Sequence, residues 1–169
     1  MIKSNLENAI NNQINAELYS SYLYLSMSAF FETKSFTGFA KWMAIQSQEE
    51  YAHAIKLFTY LIQKGGKVKL SKIDEPKQEW KSLLDVFEDT YEHEQKITSC
   101  INEIVDLALQ EKDHATVSFL NWFVTEQVEE EAVAQKIIDD LKLLGDNNNG
   151  LFMMDRELGQ RAAVQSTQV

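Results

Sequence analysis

The scarcity of turn residues constrains this 169-residue chain more than any other feature, since it contains one proline and six glycines. β-Sandwiches and β-barrels need a turn about every 8–12 residues, and this chain does not supply them. Long stretches without Gly or Pro favour long helices instead. With 44% hydrophobic residues, the chain can bury a core. We therefore expect an all-α fold and a single domain over residues 1–169.

Charge and cysteine content exclude several classes of function. The net charge of −10 argues against nucleic acid as a partner, because phosphate contacts need a positive patch. The sequence contains no uninterrupted apolar run of about 18 residues, so we expect no membrane span. The N-terminus does not resemble a signal peptide. Cys100 is the only cysteine, which fits a reducing compartment and predicts a cytoplasmic location. We interpret Cys100 as a small buried residue, Trp122 as a core residue, and His93 and His114 as surface residues.

Apolar residues recur at steps of three and four along four long segments, and this spacing predicts four helices. A shorter apolar segment near the end predicts a fifth helix. The expected ranges are about 5–34, 37–64, 80–111, 114–144 and 151–160. Ser4 and Glu7 form a capping-box pattern for the first helix, and Thr37 or Ser35 is the expected cap of the second.

The connection between the second and third helices is long enough to cross the molecule. About 13 extended residues reach roughly 43 Å, and a helix of about 30 residues is roughly 45 Å long. The third helix can therefore begin at the end where the second began. The other connections are tight and predict antiparallel neighbours. Together these lengths predict a four-helix bundle over about 5–144 with one long crossover.

Polar residues interrupt the apolar stripes at positions that repeat after 77 residues. The pairs are Glu17 with Glu94, Glu49 with Glu126, Glu50 with Gln127, and His53 with Glu130. Carboxylates buried together would protonate or repel unless a cation neutralised them. Glu50 and His53 are three residues apart and share a helix face. A metal site for iron, manganese or zinc is predicted at Glu17, Glu50, His53, Glu94 and Glu130.

Four segments of the chain carry a specific pattern. They are residues 15–24 (NAELYSSYLY), 49–54 (EEYAHA), 91–95 (YEHEQ) and 122–131 (WFVTEQVEEE). In this combination the chain resembles the ferritins of the haem-free bacterial type over essentially its whole length. The resemblance implies a ferritin-like bundle whose short C-terminal helix lies at a symmetry axis of a shell of twenty-four identical subunits.

The resemblance also implies a paired iron site with defined ligands. Glu17, Glu50 and His53 would bind the first iron, and Glu50 would bridge to the second. Glu94 and Glu130 would complete the second iron. This pair of ions is the expected ferroxidase centre.

Further residues take roles by the same resemblance. Gln127 would lie close to the second iron, and Tyr24 matches a tyrosine associated with electron transfer near the pair. A third iron site beside the pair would be formed by Glu49, Glu126, Glu129 and Glu130. Tyr51 stands where bacterioferritins have a haem-ligating methionine, so we expect no haem.

The function expected from this resemblance is iron storage combined with Fe(II) oxidation by dioxygen. Hydrated Fe(III) oxide would accumulate inside the shell, and the partners would be Fe(II), dioxygen and further copies of the chain. The alternative is a di-iron oxidase or peroxidase of the same superfamily without storage. A third reading is a helical interaction protein with solvated carboxylates. The apolar segment 151–154 is expected to be covered mainly by another subunit.

Overall fold

The computed structural model describes residues 2–162 and forms five α-helices in this range. They are α1 (Ser4–Thr33), α2 (Thr37–Gln63), α3 (Leu83–Gln110), α4 (His114–Leu144) and α5 (Asn148–Leu158). The predicted all-α bundle with a short fifth helix is confirmed. The predicted ranges fit α1, α2 and α4 closely, whereas α3 and α5 each begin three residues away from the expected position. No helix within 2–162 is long and apolar enough to cross a membrane.

The predicted capping box at the start of α1 is wrong. Lys3 is the N-cap residue, and Ser4 already lies inside the helix. The carboxylate of Glu7 accepts a hydrogen bond from the backbone N–H of Lys67 at 3.0 Å. Glu7 therefore fixes the start of the crossover and does not close the first turn of its own helix.

The predicted cap of α2 at Thr37 or Ser35 is also wrong. Phe36 is the N-cap residue, and the first turn is capped from α5. Asp155 Oδ1 accepts hydrogen bonds from the backbone N–H groups of Gly38 at 2.8 Å and Phe39 at 3.0 Å. Gly38 permits this approach, because a Cβ there would lie 1.6 Å from the carbonyl oxygen of Asp155.

Helix α3 starts later than expected because Ser82 caps it. Ser82 Oγ accepts a hydrogen bond from the N–H of Asp85 at 3.0 Å, and the carboxylate of Asp85 accepts one from the N–H of Lys81 at 2.9 Å. Trp80 belongs to the crossover, although it is buried against Phe30. The predicted helix began too early because Trp80 is apolar and buried like a helix core residue, although it lies in an extended segment.

Hydrogen bonds between helices define their directions. Ser28 Oγ donates to the carbonyl of Ala40, and Ser47 Oγ donates to the carbonyl of Ser21. The contact positions on α2 move backwards as those on α1 advance, so the two helices are antiparallel. The tight turns at 111–113 and 34–36 join antiparallel pairs, as predicted.

The crossover runs beside α1 from one end of the bundle to the other. Asn11 Nδ2 donates to the carbonyl of Lys67 near the start of α1. Farther along, Ser26 Oγ donates to the carbonyl of Lys77 at 2.7 Å. The connection therefore returns the chain to the end where α2 began, as its length predicted.

The apolar core is divided into two clusters. One contains Phe31, Phe39 and Phe87, and the other contains Leu6 and Leu57. The buried polar residues of the mid-helix positions lie between these clusters along the helices. The bundle thus has an apolar layer at each end and a polar layer in the middle.

Helix α5 packs partly on its own bundle. Met154 is 8% exposed and joins the core cluster of Phe31 and Phe39. Phe152 is 59% exposed and Met153 65% exposed. The expectation that another subunit mainly covers this segment is wrong for Met154.

Cys100 was expected to be buried, but it is exposed on the flank of α3.

Candidate metal centre

The predicted site residues of the paired centre come together between the two apolar clusters. One polar residue or more comes from each of α1, α2, α3 and α4. Glu17, Glu50, His53 and Glu94 are buried, and Glu130 is half-buried. A helix that places a carboxylate on its core-facing stripe must bury that carboxylate when it packs.

Two groups of ligand atoms share one carboxylate. Glu17, Glu50 and His53 form the first group, and in each group the ligand atoms lie within 4.8 Å of one another. The second group joins the same Glu50 to residues of α3 and α4, namely Glu94 and Glu130. A carboxylate has two oxygens, so Glu50 can serve two cations at once.

Glutamine amides hold the buried carboxylates in place. The donor–acceptor pairs are Gln13 with Glu17 (2.8 Å), Gln46 with Glu50 (3.1 Å), Gln46 with Glu130 (2.7 Å) and Gln127 with Glu94 (3.0 Å). A neutral amide orients a carboxylate without neutralising its charge. The negative charge of the cluster is therefore not compensated by these amides, and a cation is still needed to neutralise it.

One carboxylate oxygen of Glu17 is available to bind such a cation. Glu17 Oε2 is buried and has no hydrogen-bond partner among the described residues. A buried polar atom without a partner costs about 1–3 kcal/mol, so its persistence calls for a ligand. Burial, together with the charge of Glu50, raises the pKa of Glu17 to about 8.

Like-charge crowding extends to the rest of the cluster. Burial and the charges of Glu94 and Glu130 hold the pKa of Glu50 well above its usual range. Burial also raises the pKa of Glu94. Such carboxyls bind protons when metal-free and release these protons to the solvent when a divalent cation binds. Four carboxylates and an imidazole fit iron, manganese or zinc as the cation.

Tyr24 lies against this centre. Its hydroxyl donates a hydrogen bond to Glu94, and burial, with the charge of Glu94, raises the pKa of the phenol.

His93 packs edge-on against the Tyr24 ring with 5.9 Å between ring centroids, and its Nε2 lies 2.7 Å from Ser20 Oγ. The prediction that His93 is a surface residue is wrong, because α3 buries a wider arc than its central stripe. His114 is exposed, as predicted.

Trp122 covers His53 and is not a core residue. It is 38% exposed, and its ring centroid lies 5.3 Å from that of His53. Lys56 Nζ lies 3.3 Å from the centre of the Trp122 ring. The tryptophan ring thus packs against the imidazole of a proposed metal ligand.

The residues expected for a third site are less closely grouped. Glu49 is half-buried and forms an ion pair with Arg161, while Glu129 is exposed. Burial raises the pKa of Glu49, and the charge of Glu126 adds to this effect. Within residues 2–162, Glu49, Glu126 and Glu129 do not form a compact ligand group.

Three residues at the centre were not predicted from the sequence. Gln13 and Gln46 each precede a buried glutamate by four residues, and this shared spacing is a signal that could have identified them. Arg161 contacts Glu49 and Gln46 from beyond α5. No local pattern connects residues more than 110 positions apart.

A four-helix bundle with one long crossover, two carboxylate groups sharing a glutamate and a Glu-x-x-His pair has the features of a ferritin-like di-metal protein. The comparison with known families agrees. Residues 7–144 match the family model of the ferritin-like domain. The chain belongs to the ferritin family.

Individual relatives resemble the chain over nearly its whole length. A bacterial non-heme ferritin of Bacteroides fragilis is 52% identical over 161 residues, covering 95% of this chain and 100% of the relative. A bacterial non-heme ferritin of Campylobacter jejuni is 45% identical over 92% of this chain and 93% of its own. The solved open pore ferritin of Archaeoglobus fulgidus is 48% identical and superposes with a TM-score of 0.94, covering 95% and 98% of the two chains.

Proposed function

We propose that the chain is an iron-storage ferritin that oxidises Fe(II) with dioxygen and deposits hydrated Fe(III) oxide inside a closed shell of identical subunits. The observation that carries the proposal is the position of Glu50 in both ligand groups. Two Fe(II) ions bound around one carboxylate can each deliver an electron to the same dioxygen molecule.

The proposed ligands divide between two substrate ions. Glu17 and His53 bind the first ion, and Glu94 and Glu130 bind the second, with Glu50 shared. His53 contributes a neutral nitrogen, so the first ion receives less negative charge per ligand than the second. The two ions are therefore expected to bind with unequal affinity.

Neighbouring side chains control these ligands. Gln127 donates to Glu94 Oε2 at 3.0 Å, and the Tyr24 hydroxyl donates to the other oxygen. Both are positioned to hold Glu94 while an ion binds or leaves. Tyr24 is also a candidate to supply an electron during oxidation. The expected reducing cytoplasm would provide Fe(II) as the substrate.

We also propose an accessory third site at Glu49, Glu126, Glu129 and Glu130. Its support is the proximity of Glu49 to Glu126, together with the half-buried position of Glu49. An ion there would lie next to the second ion of the pair, since Glu130 is common to both sets.

Two measurements on the same protein test the proposed function. Metal-free protein receives Fe(II) under air, and the appearance of Fe(III)–oxo absorbance is followed with time. Gel filtration then measures the iron retained per assembly. The Glu103→Ala variant on α3 is the control, because it removes an exposed carboxylate that belongs to neither ligand group.

Oxidation with many iron atoms retained per subunit supports storage. Oxidation with only the site-bound iron retained would favour a di-iron oxidase or peroxidase. The absence of oxidation in both proteins would contradict the ferroxidase assignment.

A further inference from the structure

The side chain of Arg161 returns from the end of α5 to the surface of α2. Its guanidinium pairs with the carboxylate of Glu49, and Nη1 donates to Gln46 Oε1 at 2.8 Å. The guanidinium also lies 4.4 Å from the ring centroid of Trp42. Three different groups on consecutive turns of α2 therefore hold one cation.

This cation is coupled to the paired centre through Gln46. The amide nitrogen of Gln46 donates to Glu130 and to Glu50, while its carbonyl oxygen accepts from Arg161. The guanidinium is thus two hydrogen bonds from two proposed iron ligands. The guanidinium also forms an ion pair with the carboxylate of Glu49, which is a proposed ligand of the accessory site.

Hydrogen bonds hold the backbone that precedes Arg161, and this positions the arginine side chain next to α2. Lys41 Nζ donates to the carbonyl of Gly159 at 2.8 Å, and Asp155 caps α2 as described above. The side chains of Arg161 and Glu49 are 24% and 15% exposed. An ion pair this well shielded is weakened less by salt than one on the open surface.

We propose that Arg161 is an internal cation that competes with a metal ion for Glu49, so that the accessory site fills only when the guanidinium is displaced. A divalent ion bound at Glu49 would repel the guanidinium and take its acceptor oxygens. By linkage, the arginine lowers the affinity of the metal, and the metal loosens the arginine to the same extent. This inference rests on the proposed function of the centre.

An arginine suits this competition because its charge does not change with pH. The competing charge is present at every pH at which the carboxylates can bind metal. Displacement also removes the donor to Gln46 Oε1. Filling of the accessory site would therefore leave the Gln46 amide less firmly held against Glu50 and Glu130.

Zn(II) calorimetry on the full-length, metal-free assembly tests the proposal without redox chemistry. In the Arg161→Gln variant, we expect two ions still to bind at the paired centre and a third ion to bind about tenfold more tightly than in the parent protein. Zn-edge anomalous diffraction should place that third ion at Glu49. In Glu49→Gln, the further change Arg161→Gln should give no gain.

Lys41→Gln is the matched control, because it loosens the end of α5 without removing a contact to Glu49 or Gln46. Equal third-ion affinity in Arg161→Gln and the parent would overturn the proposal. An equal gain in Lys41→Gln would also overturn it, since covering by the tail would then explain the effect. Loss of the tight pair in every protein would contradict the proposed function instead, and the comparison at Glu49 would still decide the role of Arg161.

Discussion

Glu50 and Glu49 are adjacent residues with different surroundings, and this difference makes them a matched pair for mutation. Glu50 belongs to both ligand groups, whereas Glu49 faces Arg161. We expect Glu50→Ala to lower the initial Fe(II) oxidation rate about a hundredfold, because both ions lose a ligand. Glu49→Ala should lower it by less than about threefold, since Glu49 belongs to neither ligand group of the paired centre. Equal rates in the two variants would remove the bridging assignment.

The raised pKa of Glu17 predicts how the metal-free protein responds to pH. A carboxyl whose pKa is higher in the folded state stabilises the fold fully below about pH 4.5 and progressively less as the pH rises to about 8. Unfolding with urea in the presence of a chelator should therefore show stability falling over this window. Replacement by the neutral amide in Glu17→Gln should reduce the fall by a few kcal/mol.

The control for this pH experiment is Glu103→Gln, which changes an exposed carboxylate on α3. It should leave the dependence of stability on pH unchanged. If Glu17→Gln gave the same pH dependence as the parent protein, the carboxyl of Glu17 would not be protonated in the metal-free fold.

At the scale of elements, α5 and α2 depend on each other through Asp155. Removal of this cap in Asp155→Ala should lower the free energy of unfolding by about 1 kcal/mol. Asp155→Asn should recover much of this loss, because an amide oxygen can still accept from the N–H groups of Gly38 and Phe39. Thermal unfolding followed by circular dichroism measures both effects.

The nearby Glu157→Ala variant serves as the control for Asp155, because Glu157 is exposed on the same helix. Similar unfolding temperatures for Asp155→Ala and Glu157→Ala would show that the cap adds nothing. The same contacts indicate that truncation after Gly145 would destabilise the bundle as well as remove an assembly element.

The elements were predictable wherever the evidence lay within one helix. The stripes around Glu17 and Glu94 indicate both the helices and the polar layer, because a helix repeats its buried face every three or four residues. Cys100 and His93 were misassigned for a related reason. A single stripe does not describe the width of the buried arc, which depends on how many neighbours a helix has. The interactions of Asp155 and Arg161 could not be predicted, because they join the end of the chain to α2 across more than 110 residues.

At the scale of the whole molecule, exposed apolar residues predict assembly. Phe152 and Met153 project from α5, and Tyr22, Leu25 and Leu70 are exposed near the crossover. We expect a closed homo-oligomer of cubic symmetry with a mass of about 470 kDa for twenty-four chains of 19.5 kDa. Sedimentation at physiological salt measures this mass, and a population of monomers or dimers alone would contradict both the shell and the storage function.

A double variant tests the contribution of α5 to this assembly. Phe152→Asp with Met153→Asp should weaken or alter the shell, because each change places a charge where an apolar contact is expected. The helical signal in circular dichroism should persist, since Met154 still packs in the core. A shell that remained unchanged in mass and stability would show that these two side chains do not contribute to subunit contacts.

The way in which the crossover is attached decides where the chain can tolerate new sequence. Asn11 and Asn15 of α1 bind backbone groups of residues 67–72, so the attachment of this first part of the crossover depends on the side chains of the helix and hardly on its own side chains. Val68, which packs against the core, is the exception. Substitutions at the exposed polar positions 67, 69, 71 and 72 should therefore leave the subunit fold intact, while changes at Asn11 should not. This segment is the natural place to introduce a foreign peptide or a chemical label without disturbing the metal centre.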